Sequence, residues 1–355
     1  MMDAPVWRGG DDLLRCTAIS DEAPGVKTFR LVPESGARII FHAGQFVTLH
    51  LPLADGPGAT PGVGVWRCFT IASSPLQDGA IDLTIKTQGG AQTINTSGTA
   101  WMHHALSAGM SLKALPPGGP FCLMRPPETP LLLVSAGSGA TPMASIARWL
   151  RDIGCKTPVH YLHLARAPAD WLFKPEIEAI AAELGGWKLD WLTTTASGRP
   201  TAAAFGAMAP DLGMREVFCC GPTGFMAAVE DAHATAGGAA AAFRKEAFIA
   251  IPIPELAPEP APVSAPALTF TVRFEPGGKV AEAKPSETLL AVAGRLGLAI
   301  PYACAQGICG TCRMRRRSGE VEMHDQGGIE EDEIANGEIL ACCSYARSPL
   351  VLELI

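Results

Sequence analysis

Between residues 5 and 125, apolar and polar positions alternate in short runs broken by Gly and Pro. Residues 13–20, 27–32, 45–51, 67–72 and 81–87 each show the period of two that buries one face of a β-strand. Many short strands between turn residues predict an antiparallel β-barrel over 5–125. From Pro130 the pattern changes. Residues 131–135 are almost uninterrupted apolar, as a strand covered on both faces requires, and lead through a Gly-rich turn into a helix over 142–153. Strands at 159–164, 189–194 and 216–220, with a helix at 174–184, continue the alternation and predict an α/β domain on a parallel sheet over 126–250. Residues 251–267 lose all apolar period and are dominated by Pro, Ala and Glu, which predicts an extended linker. Beyond it, 268–274 alternates again, Gly277 and Gly278 mark a turn, and 287–296 reads as an amphipathic helix capped by Ser286. The chain is therefore expected to be multidomain, with an α+β domain over 268–355.

The 355 residues, 48% of them apolar, suffice for two or three domains with cores of their own. A net charge of −7 argues against general nucleic-acid binding. No run of eighteen apolar residues occurs, and Met1 to Arg8 lack the pattern of a signal peptide, so the expectation is a cytoplasmic monomer with no membrane partner. The run Arg313-Met-Arg-Arg-Arg317 reads first as a solvated strand and second as a docking patch.

Of eleven cysteines, Cys304, Cys309 and Cys312 stand in the spacing C-x4-C-x2-C, and Cys342 follows after the 29 intervening residues 313–341. That spacing matches plant-type [2Fe-2S] ligation: three thiolates on one tight loop hold most of the cluster and a distant residue closes the cage. Structural zinc prefers separated C-x2-C pairs. Gly307 and Gly310 let the loop bend toward inorganic sulfur. Tyr302 to Cys312 resembles the ferredoxin loop, and strand, turn, strand, helix and cluster loop is the ferredoxin β-grasp order. Cys343 is the neighbour to be distinguished from the fourth ligand.

Upstream, Arg67-Cys68-Phe69-Thr70-Ile-Ala-Ser73-Ser74-Pro75 resembles the flavin motif of the ferredoxin-NADP reductase superfamily. A phosphate suits the Arg67 guanidinium, an isoalloxazine suits the Phe69 ring, and the reactive ring nitrogen suits the Thr70 hydroxyl. A second element, Gly89-Gly90 followed by Thr99 opening a short helix, fits a pyrophosphate, with Thr99 as the expected cap and Ser97 and Gly98 competing for that role. His103 and His104 read as solvated helix residues. Gly137-Ser-Gly139-Ala-Thr141-Pro142 resembles the superfamily's nicotinamide-nucleotide turn, with Thr141 as the expected helix cap, and Cys220-Gly221-Pro222 its motif beside the nicotinamide. Relatives contact the adenosine side where Arg166 stands and end the reductase module with an aromatic where Phe248 stands; a core role for Phe248 is the other reading.

The order of flavin barrel, nicotinamide domain and ferredoxin resembles the reductases that serve Rieske-type oxygenases, particularly those paired with glycine betaine and carnitine demethylases and monooxygenases. The resemblance implies electron flow from NADH, with NADPH as the alternative, through FAD, with FMN as the alternative, to a [2Fe-2S] cluster and a terminal oxygenase. Thr70 and Cys220 would stand beside the reacting atoms. Two other readings are a reductase of the hybrid-cluster protein and a redox-sensing or electron-carrier module.

Overall fold

The structure is a computed structural model describing residues 5–53, 64–248 and 269–355, except 78, 96, 299, 303–306, 308, 309, 326 and 327. The linker at 251–267, Cys304 and Cys309 therefore lie outside the described residues.

The first unit contains β1 (Leu14–Ala23), β2 (Val26–Pro33), β3 (Phe46–Leu51), β4 (Val65–Thr70), β5 (Ile81–Lys86), α1 (Gly98–His104), β6 (Ser111–Leu112) and β7 (Ala114–Gly118). They form two antiparallel sheets, ordered β5-β2-β1-β6 and β4-β3-β7. Leu14, Phe29, Leu49 and Leu83 fill the core, and Trp101 and Met102 of α1 pack into it. His103 corrects the sequence reading. It is buried, and its Nε2 meets the Ile85 carbonyl at 2.7 Å, because α1 sinks most of its short length into this core.

The second unit contains β8 (Leu131–Ala136), α2 (Ala140–Asp152), β9 (Val159–Ala165), α3 (Lys174–Leu184), β10 (Trp187–Thr193), α4 (Thr194–Ser197), α5 (Ala202–Met208), β11 (Glu216–Cys220), α6 (Thr223–Thr235) and β12 (Phe243–Glu246). Its sheet, β10-β9-β8-β11-β12, is parallel throughout. Successive strand residues feed opposite faces: Leu131 and Leu133 pack with Met143 and Ile177, Leu132 and Val134 with Phe205 and Val229. Both faces need apolar residues, which explains the continuous run in β8.

The first two units are clamped together. The Ser145 hydroxyl of α2 donates to the Ser73 carbonyl at 2.8 Å and accepts from the Gly44 amide at 3.2 Å. Arg148, one turn on, donates to the Ala72 carbonyl at 2.7 Å while gripping Glu176 with two parallel bonds.

The third unit contains β13 (Phe270–Glu275), β14 (Lys279–Ala283), α7 (Leu289–Arg295), β15 (Arg313–Ser318), β16 (Val321–Met323), α8 (Glu331–Ala335), β17 (Glu338–Leu340), β18 (Ser344–Ala346) and β19 (Leu350–Leu354). Its main sheet runs β14-β13-β19-β15-β17, and α7 packs Leu289, Val292 and Ala293 into the core below it. The cap of α7 is Thr288, not Ser286: its hydroxyl accepts from the Ala291 amide at 3.3 Å. A turn closed by the Glu287 amide on the Lys284 carbonyl keeps Ser286 outside the helix.

The basic run occupies β15 and is matched by carboxylates. Arg313 pairs with Glu333, Arg315 with Glu338 at 3.2 Å, and Arg317 with Glu353. Its charge is largely answered within the domain, which weakens the docking-patch reading. Among the described residues no helix is long and apolar enough to cross a membrane.

Candidate functional site

The carboxyl ends of β8 and β11 form one edge of the site. Gly137 turns the chain after β8 with φ of 57°, a conformation that favours glycine. Gly139 is required for a different reason: a Cβ there would stand 2.3 Å from the Cys220 carbonyl and 3.1 Å from its Sγ. Gly221 likewise leaves room for Ala136 and the Phe225 ring. These glycines draw the two strand ends together as well as leaving backbone open at the edge. The Thr141 hydroxyl, expected to cap α2, instead donates to the Ser138 carbonyl at 3.1 Å, because the helix already begins at Ala140. Pro142 is buried in the first turn, and Pro222 caps α6. Cys220 is fully buried, and burial pushes its thiol well above the ordinary range, so it is neither a thiolate nor a ready proton donor. Arg166 follows β9 exposed at the same edge.

One strand below the edge, Ser135 and His163 pair in register, with the hydroxyl 2.8 Å from Nδ1. His163 is completely buried, and desolvation lowers its pKa to about 4.

Strand β4, at the edge of its sheet, faces this region. Thr70 at its end donates a hydrogen bond to Glu246 Oε2 at 3.3 Å. Glu246 ends β12, directly beside Cys220 in register. Sequence reasoning missed Glu246; its one signal was a carboxylate two positions before Phe248. Phe248 itself is 40% exposed, which rules out the core reading. Phe69 packs partly against the barrel core and stays partly accessible. Arg67 lies against the first turn of α1, where a Cβ on Gly98 would stand 3.1 Å from its Cγ.

Several hydroxyls expected at a cofactor are engaged elsewhere. Ser73 is fully buried and accepts from the Asp82 amide at 3.1 Å, and Ser74 accepts from the Leu76 amide at 3.2 Å, so both stabilise the turn before β5. Ser97, not Thr99, caps α1, accepting from the Ala100 amide at 3.3 Å. Thr99 accepts from the Gln88 amide at 2.9 Å and ties α1 to the Gly-rich turn. Gly90 accepts from the amide and hydroxyl of Thr93.

The third unit brings Thr311, next to Cys312, to β4. Cys312 and Cys342 are buried, the Cys342 amide donates to Cys312 Sγ at 3.4 Å, and the Gly307 amide donates to Cys342 Sγ at 3.3 Å. Amide donors aimed at sulfur suit thiolate ligands of a cluster. Gly310, at φ of 70°, could not carry a side chain, since a Cβ would stand 2.6 Å from the Gly328 carbonyl. The Cys343 thiol points to the Leu340 carbonyl at 3.6 Å. Cys68 of β4 has its Sγ 3.0 Å from the Thr48 hydroxyl and 3.8 Å from the Thr311 hydroxyl. Burial pushes the nearby Tyr302 phenol up, and the Arg67 charge draws it partway back.

The description "2Fe-2S iron-sulfur cluster binding domain" matches residues 272–347, and "oxidoreductase NAD-binding domain" matches 133–231. The chain is 36% identical to the stachydrine N-demethylase reductase subunit of Rhizobium meliloti, over 93% of each chain. It is 35% identical to the glycine betaine monooxygenase reductase subunit of Pseudomonas aeruginosa, over 98% of this chain and 96% of that one. The chain belongs to the family of oxygenase reductase subunits. The fold of this reductase is shared with phthalate dioxygenase reductase, at a TM-score of 0.60 and 23% identity over 96% of this chain and 97% of that one. The reductase is thus an electron-transferring oxidoreductase with NAD-binding and [2Fe-2S] domains, in agreement with the motif order in its sequence.

Proposed function

We propose that the reductase takes electrons from NADH, passes them through a flavin held between β4 and the nucleotide domain, and delivers them singly through the cluster to a terminal oxygenase acting on a quaternary amine. The observation that carries this reading is the position of β4. Within three residues, Thr70 reaches the nucleotide domain at Glu246 and Cys68 reaches the cysteine loop at Thr311. Two residues of a strand span roughly 7 Å, so a group lying along β4 borders both electron entry and exit.

The described residues fit the groups this reading requires. Arg67 beside the α1 turn suits a phosphate, the accessible part of Phe69 suits a planar ring, and Thr70 offers a hydroxyl to a ring nitrogen. Cys312 and Cys342, with Cys304 and Cys309 of the same motif, would hold the cluster. A bound flavin would supply the conversion of a two-electron donor into single electrons, and the cluster the one-electron port. Thr70 and Glu246 would carry the accompanying proton, since a hydroxyl bonded to a carboxylate can donate on one side and be reprotonated on the other. Gly137 and the chain after Cys220 leave backbone open for a dinucleotide, with Arg166 at the adenosine end.

The quaternary-amine assignment rests on the two relatives above, and FAD and NADH on the resemblance of the motifs. Four cysteines at cluster spacing with the other seven scattered suit a reducing, cytoplasmic compartment, and we take the chain to act as a monomer. The test is anaerobic titration of purified holoprotein with NADH and, separately, NADPH. Bleaching of flavin absorbance followed by that of the cluster, with NADH preferred, is expected. A cluster that stays oxidised while the flavin bleaches would overturn the wired chain. Chromatography of the released cofactor distinguishes FAD from FMN, and sedimentation reads the oligomeric state.

A further inference from the structure

Helix α2 begins at the nucleotide turn and grips the end of the flavin strand with its middle. Ser145 and Arg148 lie four and seven residues past Thr141, on the same side of the helix. Ser145 is fully buried; its hydroxyl donates to the Ser73 carbonyl at 2.8 Å and accepts from the Gly44 amide at 3.2 Å. Arg148 donates to the Ala72 carbonyl at 2.7 Å and turns its other edge to the two carboxylate oxygens of Glu176, at 2.8 and 2.7 Å. Ala72 and Ser73 closely follow Thr70, and Gly44 closely precedes Phe46, the cross-strand partner of Thr70. Both chain segments at that end of the β3–β4 pair are therefore tied to α2. The guanidinium is also braced on its face, since Arg148 Cζ stands 5.0 Å from the centre of the Phe173 ring. Among the described residues other than glycine, Phe173 alone has a left-handed backbone, with φ of 59°. Such a conformation persists where its surroundings over-determine it, and here it opens α3 with Glu176 in the first turn.

We propose that Ser145 and Arg148 are positioning residues that fix the distance between the nicotinamide edge and the flavin strand, and through it the rate of hydride transfer. The inference rests on the flavin reading of β4. In that step the dihydronicotinamide C–H bond breaks as an N–H bond to the flavin ring forms, so two electrons and one proton cross together. The second proton follows through Thr70 and Glu246. The nucleotide turn belongs to one domain and Thr70 to the other, and α2 joins them as a strut: at 1.5 Å per residue, Gly139 and Ser145 lie about 9 Å apart along it. Hydride transfer is steep in distance, and a misplacement of about 1 Å can cost roughly a hundredfold in rate. Three bonds from Ser145 and Arg148 to the barrel, one of them charge-assisted, hold that approach, and the Glu176 fork keeps Arg148 from swinging away. Neither residue lies in the nucleotide turn, so removing either leaves the dinucleotide's own contacts in place.

The experiment uses holoprotein carrying Ser145→Ala, Arg148→Lys or Arg148→Met, mixed anaerobically with a range of NADH concentrations in a stopped-flow instrument, with rates expressed per bound flavin. The limiting rate of flavin bleaching is expected to fall about tenfold in Ser145→Ala and further in Arg148→Met. The NADH concentration giving half that rate should stay within about twofold of wild type, because ground-state binding is untouched. Arg148→Lys, which keeps the charge but not the fork, should recover part of the rate lost in Arg148→Met. A second readout is independent of turnover: in hydrogen exchange followed by mass spectrometry, the segment containing Gly44 should exchange several-fold faster in Ser145→Ala, with flavin bound or removed. Wild-type limiting rates in Ser145→Ala and Arg148→Met, with Gly44 exchange quickened, would overturn the proposal and leave the clamp a purely structural role. So would a raised half-saturating concentration at an unchanged limiting rate. Should Arg148→Met fail to fold, Ser145→Ala, which removes a single oxygen, decides alone. Absence of a flavin phase in the wild type would instead sink the flavin reading of β4.

Discussion

The hydroxyl of Thr70 lies 3.3 Å from a carboxylate oxygen of Glu246, joining the strand of the flavin motif to the last strand of the nucleotide domain. Replacing Glu246 by Gln keeps the size and an acceptor but removes the proton-accepting group. Glu246→Gln is therefore expected to slow NADH-driven flavin bleaching by about tenfold or more, with little change in the KM for NADH. Thr70→Val should act in the same direction and Thr70→Ser should retain most of the rate. Full activity in Glu246→Gln would remove the carboxylate from the proton path.

Two adjacent cysteines face different ways. Cys342 accepts from the Gly307 amide, whereas Cys343 points to the Leu340 carbonyl. Cys342→Ser is expected to lose the cluster and Cys343→Ser to keep it. Iron and acid-labile sulfide analysis with EPR decides between them, and the opposite pattern would reverse the ligand assignment.

Gly139 stands where a Cβ would lie 2.3 Å from the Cys220 carbonyl. Backbone cannot yield as a flexible side chain does, so Gly139→Ala should destabilise the chain by about 1–3 kcal/mol and weaken NADH binding as the strand ends part. Chemical denaturation and a KM measurement check both parts. Gly224→Ala, in the first turn of α6 with nothing within 4 Å, is the control and should leave stability unchanged or slightly raised.

His163 sets an acid limit. Its folded pKa of about 4 lies below the ordinary value of 6.5, so the unfolded chain binds the extra proton between those values. Stability is full above pH 6.5 and falls as the pH drops toward 4. From pH 7 to pH 5 the loss from this group is about 2 kcal/mol. His103 and His160, also lowered by burial, add in the same direction. His163→Asn should flatten the pH dependence of urea unfolding, and an unchanged slope would show that His163 does not titrate there.

Much of the architecture was legible because it is local. The period of two in β1 to β5, the apolar run of β8 and the helix at Lys174–Leu184 follow from which faces each segment must bury, and neighbours along the chain already encode that. β12 was missed because Phe243–Glu246 is short and polar, and only pairing with β11 makes it a strand. His103 was misread because a seven-residue helix with a wide buried surface does not announce which polar residue it buries.

The sequence by itself determined the chemistry: four cysteines in cluster spacing, glycine turns after apolar strands, and an arginine, aromatic and hydroxyl in consecutive order. Residue type and spacing carry that information, since ligand valence and backbone freedom are properties of the residues. Tertiary structure alone decided what each hydroxyl meets. Ser73, Thr99 and Thr141 are turned to protein backbone, while Thr70 meets Glu246 and Thr311 meets Cys68. A hydroxyl takes whatever partner packing brings within reach, and for Thr70 and Thr311 those partners lie more than a hundred residues away.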